Sequence, residues 1–245
     1  MTALTVQVVA ADEDGFITYG EDQGGMGGGN LTTITTNAKV KVGQYSQMGE
    51  LGSDPGSYEP FTFTGWVHLK NFTIAQGATI NNAKLHFYHN ANDGFGTMSD
   101  PGEGFTVVAQ DVDSASKPTS YADVNGMTPL TSASVATGDF IDASSDDFSS
   151  PNETFNNAWY PTHAIAGAGL EIKTVLQELV NRSGWSSGSN INLKLTPTNH
   201  NGETDWHILW TDYDTSTSLA IKLVIDYTAG AVSTATSTAF LLFLD

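Results

Sequence analysis

Leu170-Glu171-Ile172-Lys173-Thr174-Val175-Leu176-Gln177-Glu178-Leu179-Val180-Asn181-Arg182-Ser183-Gly184-Trp185 runs into a Ser/Gly turn, and the chain then closes on Leu219-Ala220-Ile221-Lys222-Leu223-Val224-Ile225-Asp226-Tyr227. Ile172, Val175, Leu176, Leu179 and Val180 recur at i, i+3, i+4, i+7 and i+8, which is one stripe of an α-helix. The spacing predicts a single short amphipathic helix over about 171–182. Its stripe, Leu176 and Leu179 above all, is expected to pack on the sheets. Gly184 can take the left-handed conformation that ends a helix.

Almost everything else reads as strand and turn. Alternating or β-branched runs predict strands at 2–10, 32–42, 61–74, 80–89, 105–113, 190–197, 205–211 and 218–228. Residues 11–29 read as a loop, because the run Gly24-Gly25-Met26-Gly27-Gly28-Gly29 holds no regular structure. Residues 114–163 read as a loop-rich insertion with one strand near 134–141. The strands at 61–74 and 80–89 read as a hairpin turning at Ala75-Gln76-Gly77-Ala78. A turn centred on Gly77 sets Val67 opposite Phe87 and Leu69 opposite Leu85 on an apolar face. On the other face it sets Trp66 opposite Tyr88, His68 opposite His86 and Lys70 opposite Lys84.

The helix that stops at Arg-Ser-Gly-Trp and hands over to paired strands is one block with a family likeness. A second block is Phe72-Thr73-Ile74-Ala75-Gln76-Gly77-Ala78-Thr79-Ile80-Asn81-Asn82-Ala83-Lys84-Leu85. Together they resemble the jelly-roll β-sandwich modules of the DNRLRE and carbohydrate-binding type, found in tailed-phage virion proteins and bacterial surface proteins. The likeness covers roughly residues 2–228 and is poor in the middle insertion. It implies an all-β antiparallel jelly-roll sandwich over 1–228, followed by an apolar C-terminal extension over 229–245. It also implies a binding or structural role rather than catalysis.

Composition narrows the function classes. At 26.0 kDa the chain can bury about 70% of its unfolded surface in one core. Cysteine is absent, which excludes disulfides and thiolate metal sites. Nine Lys and Arg against 27 Asp and Glu leave a net charge of −18. A phosphate backbone or an anionic membrane would be repelled, so nucleic acid is not an expected partner. No stretch approaches the roughly 20 apolar residues of a membrane span. Met1 leads straight into the alternating Thr2–Val9 without an export signal. With this surface-type composition, that predicts a phage-like virion protein made in the host cytoplasm and displayed on capsid or tail. Self-association, with a homotrimer as first guess, and contact with other virion proteins are expected. A carbohydrate-binding adhesin module with host glycans as partners is the alternative.

The candidate sites follow from residue type and place. Trp159 and Tyr160, in the insertion beside Pro161, are sugar-stacking candidates, as are Trp66, His68, His86 and Tyr88 on the polar hairpin face. Trp206 and Trp210 share a face with Ile208 and read as core. Calcium, which takes six to eight hard oxygens, is the one cofactor the acidic loops suit. Asp12, Asp14, Asp111, Asp113, Asp212 and Asp214 are its candidate ligands, although none completes a calcium-loop pattern. Gly184-Trp185-Ser186-Ser187-Gly188 matches G-x-S-x-G, but the nucleophile elbow needs a strand before it and a helix after it. Here the order is reversed, and no catalytic residue is expected. Phe240, Leu241, Leu242, Phe243 and Leu244 are too apolar to remain solvated, and are expected to dock on a neighbouring subunit.

Overall fold

The computed structural model describes residues 1–21, 30–36, 39–48, 58–89, 105–136, 158–160, 169–197 and 206–230. In chain order the elements are β1 (Thr2–Gln7), β2 (Asp14–Glu21), β3 (Asn30–Thr36), β4 (Val40–Met48), β5 (Tyr58–Phe72), β6 (Thr79–His89) and β7 (Phe105–Gln110). Then come α1 (Tyr121–Asn125), β8 (Pro129–Ala136), β9 (Ala158–Tyr160), β10 (Leu170–Glu171), α2 (Lys173–Asn181), β11 (Ser189–Pro197), β12 (Trp206–Trp210) and β13 (Lys222–Thr228).

The strands form two antiparallel sheets in an all-β sandwich. One sheet runs β1-β13-β6-β10, with β9 also paired to β6. The other runs β12-β4-β5-β11-β7-β8, with β2 joined to β5 and β3. The long strand β5 organises the second sheet. Its residues 61–67 pair with β2, while 58–63 pair with β4 and 65–72 with β11. Because β2 overlaps both of the others along β5, β4 and β11 share one edge of it in succession.

Side chains alternate as strand geometry demands. In β7, Phe105, Val107 and Ala109 are buried, and in β13 so are Leu223, Ile225 and Tyr227. These inward residues, with Val67 and Leu69 of β5 and Leu85 and Phe87 of β6, form one core between the sheets. Trp210 lies in that core with its ring 5.1 Å from Phe87, as its alternation with Ile208 suggests. A smaller cluster of Ile17, Trp66, Val124 and Met127 lies on the other side of β5, under α1.

Helix α2 has the predicted stripe. Ile172, Val175, Leu176, Leu179 and Val180 are all buried in the main core. Glu171 serves its first turn, since its carboxylate accepts the Lys173 N–H at 3.0 Å. The helix end differs from the expectation. Gly184 is not left-handed; Arg182 leaves the helix in an extended conformation at φ −61° and ψ 142°.

The largest correction concerns residues 61–89. β5 and β6 do not form a hairpin, because they belong to different sheets. Residues 73–78 carry the chain across the end of the sandwich. Helix α2 accounts for the crossing by capping its backbone: the Gly77 N–H donates to Val180 O at 3.0 Å, Gln177 Nε2 donates to Ala78 O at 2.9 Å, and the Ile80 N–H donates to Gln177 Oε1 at 2.8 Å. Trp185 Nε1 closes the set by donating to Ile74 O at 2.9 Å. Val67 and Phe87 therefore belong to one core from different sheets, not to one ladder.

Other boundaries also move. Residues 14–21 are a strand rather than loop, with Phe16-Ile17-Thr18-Tyr19 supplying β-forming side chains. The single strand expected at 32–42 is β3 and β4. Within 114–163, α1 and β8 replace much of the expected loop. Helix α1 starts at a capping box in which Ser120 Oγ accepts the Asp123 N–H at 3.2 Å and Asp123 accepts the Ser120 N–H at 2.9 Å. The strand near 134–141 is β8, at Pro129–Ala136.

Candidate functional site

The crossing from β5 to β6 decides where the candidate sugar residues lie. Trp66 and His68 project from β5 away from the core, while His86 and Tyr88 project from β6 away from it on the opposite side. These four residues share no surface. Trp66 is fully buried beneath Val124 and Met127. His68 is buried too, with Nδ1 2.6 Å from Oδ1 of its cross-strand partner Asn192. Asn192 Nδ2 donates to Gln110 Oε1 and to Ser116 O, both at 2.8 Å. Its oxygen is therefore the acceptor, and His68 donates from Nδ1. Burial pushes the His68 pKa down, against the opposing hydrogen bond to Asn192.

On the other outer face, the His86 ring packs on Gly169, where φ is +56° and a Cβ would come within 2.7 Å of the ring. Burial, then Lys222 and Lys84, lower the His86 pKa. The lysines expected to face each other are separated: Lys70 pairs with Glu13, and Lys84 with Glu171 at 3.4 Å. The backbones of Trp159 and Tyr160 lie in register with Tyr88 and Phe87, on strand rather than loop. Phe240, Leu241, Leu242, Phe243 and Leu244 lie outside the described residues, as does the glycine run at 24–29.

The acidic residues separate into three groups. Asp12 binds Lys117, whose hydrogen bond holds its carboxyl below the usual range against a small opposing effect of burial. Asp111 and Asp113 both engage Arg182, the latter accepting from Nε at 2.8 Å. This clamp between the loop after β7 and the end of α2 has no signal in local sequence beyond the lone arginine.

Asp14 and Asp212 form the third group. Asp14 opens β2, and Asp212 follows β12; both are fully buried. Burial first, then the Asp212 charge, pushes the Asp14 pKa up to about 8, with smaller contributions from Asp214 and Glu13. The Tyr213 amide approaches and opposes that shift, yet neither Asp14 oxygen has a well-formed hydrogen bond among the described residues. Asp212 Oδ1 accepts the Thr215 N–H at 3.1 Å. Asp212 Oδ2 and Thr211 Oγ1 are buried without partners among the described residues. Asp214 is exposed. Among the described residues no three His, Cys, Asp or Glu side chains gather as a ready-made metal cluster.

Two cavities bear on function. One of about 530 Å³ is lined by Phe16, Lys39, Lys41, Leu209, Asp212, Asp214 and Thr215. Lys41 lies 3.6 Å from the centre of the Phe63 ring, and burial lowers its pKa to about 8. The other cavity, of about 580 Å³, is polar. Gln110, Ser114, Ser116, Lys117, Thr119 and Asn192 contribute to its lining. The G-x-S-x-G stretch is the turn from α2 into β11, with Ser186 exposed and the Ser189 N–H donating to Ser186 O at 3.0 Å.

Among the described residues no helix is long and apolar enough to cross a membrane. Comparison with family models, curated proteins and solved structures finds no match to this chain.

Proposed function

We propose that the chain is a non-enzymatic structural protein of a phage-like virion, displayed on the capsid or tail as an oligomer. The observation that carries this reading is how the few cationic side chains are used. Lys70, Lys84, Lys117 and Arg182 are engaged by carboxylates of the same chain. Lys194 donates to Asn125 O at 3.2 Å, and Lys41 rests on Phe63. The positive charge thus fastens the sandwich internally, while exposed carboxylates such as Asp123 and Asp214 stand on the surface of a chain whose net charge is −18. Such surfaces repel one another and anionic polymers, so copies can be displayed densely while contacts form only through apolar segments. The run Phe240–Leu244 is the segment of that kind in the sequence.

Immunogold labelling of particles sedimented from lysates of cells that carry this coding sequence tests the proposal. Label confined to the capsid or tail is the expected result. Label only on soluble protein would contradict it.

The polar cavity of about 580 Å³ favours a second reading, a carbohydrate-binding module. Its hydroxyl and amide lining matches the hydrogen-bonding demand of a sugar. A glycan array in which one sugar class binds, and is lost on substitution of Asn192 or Gln110, would favour this reading over the first.

A further inference from the structure

Strand β1 ends its sheet, and among the described residues only β13 pairs with it. The Val8 N–H donates to Ile221 O at 3.2 Å. The β1–β13 register, continued one step past Gln7 and Lys222, sets these two residues opposite each other. Bonded and unbonded pairs alternate along an antiparallel ladder. Thr2, Leu4 and Val6 therefore turn their backbone groups to β13, and Ala3, Thr5 and Gln7 turn theirs to the open edge. The next outward N–H, on Val9, is closed by Glu13, whose Oε2 accepts it at 3.1 Å. Those of Ala3, Thr5 and Gln7 have no bond among the described residues. Such an edge is a template for a further strand, and proteins that keep one free guard it with charge or proline. β1 has neither: residues 1–11 carry no charged side chain in a chain of net −18. Ala3 and Thr5 are exposed, Leu4 is half-buried against the core, and Val9 is 54% exposed.

We propose that the open edge of β1 receives the run Phe240–Leu244 of a second copy as an added strand. The edge thereby becomes the acceptor in the proposed oligomer, a role that rests on the assembly reading above. Residues 231–244 carry no charge either, so two acidic chains meet there without like charges face to face. The chain's own tail is led away from this edge. β13 lies between β1 and β6, and Gly230, two residues past β13, lies against Gly77 on the β6 side, where a Cβ would stand 3.0 Å from Gly77 O. Extended, residues 231–239 span about 30 Å, enough to reach a neighbouring subunit. Backbone bonds supply the affinity of an added strand, and alternate side chains supply its specificity. The face of the run that turns inward extends the core beyond Leu4 and Val6. Each copy donates one run and accepts one, a head-to-tail arrangement that can close as a ring.

Thr5→Pro tests the edge in the full-length chain. It removes an outward N–H and leaves the bonds to β13 in place, as proline on an edge strand does. Light scattering should give several chains for the wild type and one 26.0 kDa chain for Thr5→Pro, with far-UV circular dichroism unchanged. Crosslinking decides the matter if that variant does not fold. The chain has no cysteine, so copies carrying Thr5→Cys can be co-expressed with differently tagged copies carrying one cysteine substitution among residues 240–244, and a short thiol crosslinker added. Links between copies should be several-fold stronger from one alternating set, 240, 242 and 244 or 241 and 243, than from the other. A folded Thr5→Pro that keeps the wild-type mass, or links that are absent or equal from both sets, would overturn the proposal. If deletion of 231–245 still lowers the mass in that case, the tail assembles the chain through another surface and the assembly reading stands. A single-chain mass for the wild type would overturn both.

Discussion

The carboxylate of Asp113 occupies the space that a Cβ on Gly184 would need. That carboxylate accepts from Arg182 Nε at 2.8 Å, so a glycine's missing side chain lets the loop after β7 clamp the end of α2. Gly184→Ala should displace Asp113 and cost about 1–3 kcal/mol in urea unfolding, as overpacking does. The same substitution in an Asp113→Ala background should cost clearly less, because the two changes remove one contact. Equal costs in both backgrounds would mean that the close approach carries no energy.

Leu176 is fully buried in the core at the centre of the α2 stripe. Leu176→Ala should destabilise the chain by about 2–5 kcal/mol through loss of buried surface and the cavity it leaves. A measured loss below about half a kcal/mol would show that the surrounding strands collapse into the gap or that the stripe is not packed.

Burial lowers the pKa of His68 in the folded chain relative to its ordinary value of 6.5. As pH falls below about 6.5, the unfolded chain takes up a proton that the folded chain refuses, so stability falls. It stops falling once the pH passes below the folded pKa. His86 is shifted in the same direction and adds to the slope. Asp14, its pKa pushed up to about 8, adds stability as pH falls over the same range, so the expected result is a difference. Denaturant midpoints between pH 7.5 and 5 should fall more, or rise less, in the wild-type chain than in His68→Gln. A His68→Gln profile as steep as the wild type's would assign the slope to other groups.

Local pattern made part of this fold legible. The 3.6-residue spacing of Ile172–Val180 is a property of nine residues, and it suffices to place α2 and its buried face. The alternation of β7, β11 and β13 is equally local. The run 61–89 reads as a hairpin because a glycine turn between two apolar strands looks the same whether the strands pair or part. The outcome rests on Gln177, Val180 and Trp185, a hundred residues on, which bond the backbone of the crossing. Strand β2 is masked in the sequence by the glycine run that follows it, although Phe16–Tyr19 carry the β signal. The candidate site was less legible. Aspartates could be marked one by one as loop acids, but whether each meets Lys117, Arg182 or another aspartate is decided by the tertiary fold.

The apolar C-terminal segment carries the assembly claim, and successive residues of a strand there would present Phe240, Leu242 and Leu244 to one surface and Leu241 and Phe243 to another. Burying five such side chains gains about 7–15 kcal/mol gross, and ordering the backbone opposes it at about 1–2 kcal/mol per residue. The segment should therefore order only against a partner. Light scattering on full-length chain and on residues 1–230 tests this most directly. The account predicts a mass of several 26.0 kDa chains, three as the first expectation, for the full-length protein, and a folded single chain for the truncated one. A full-length protein with the mass of one chain, or a truncated one that keeps the full-length assembly, would contradict it.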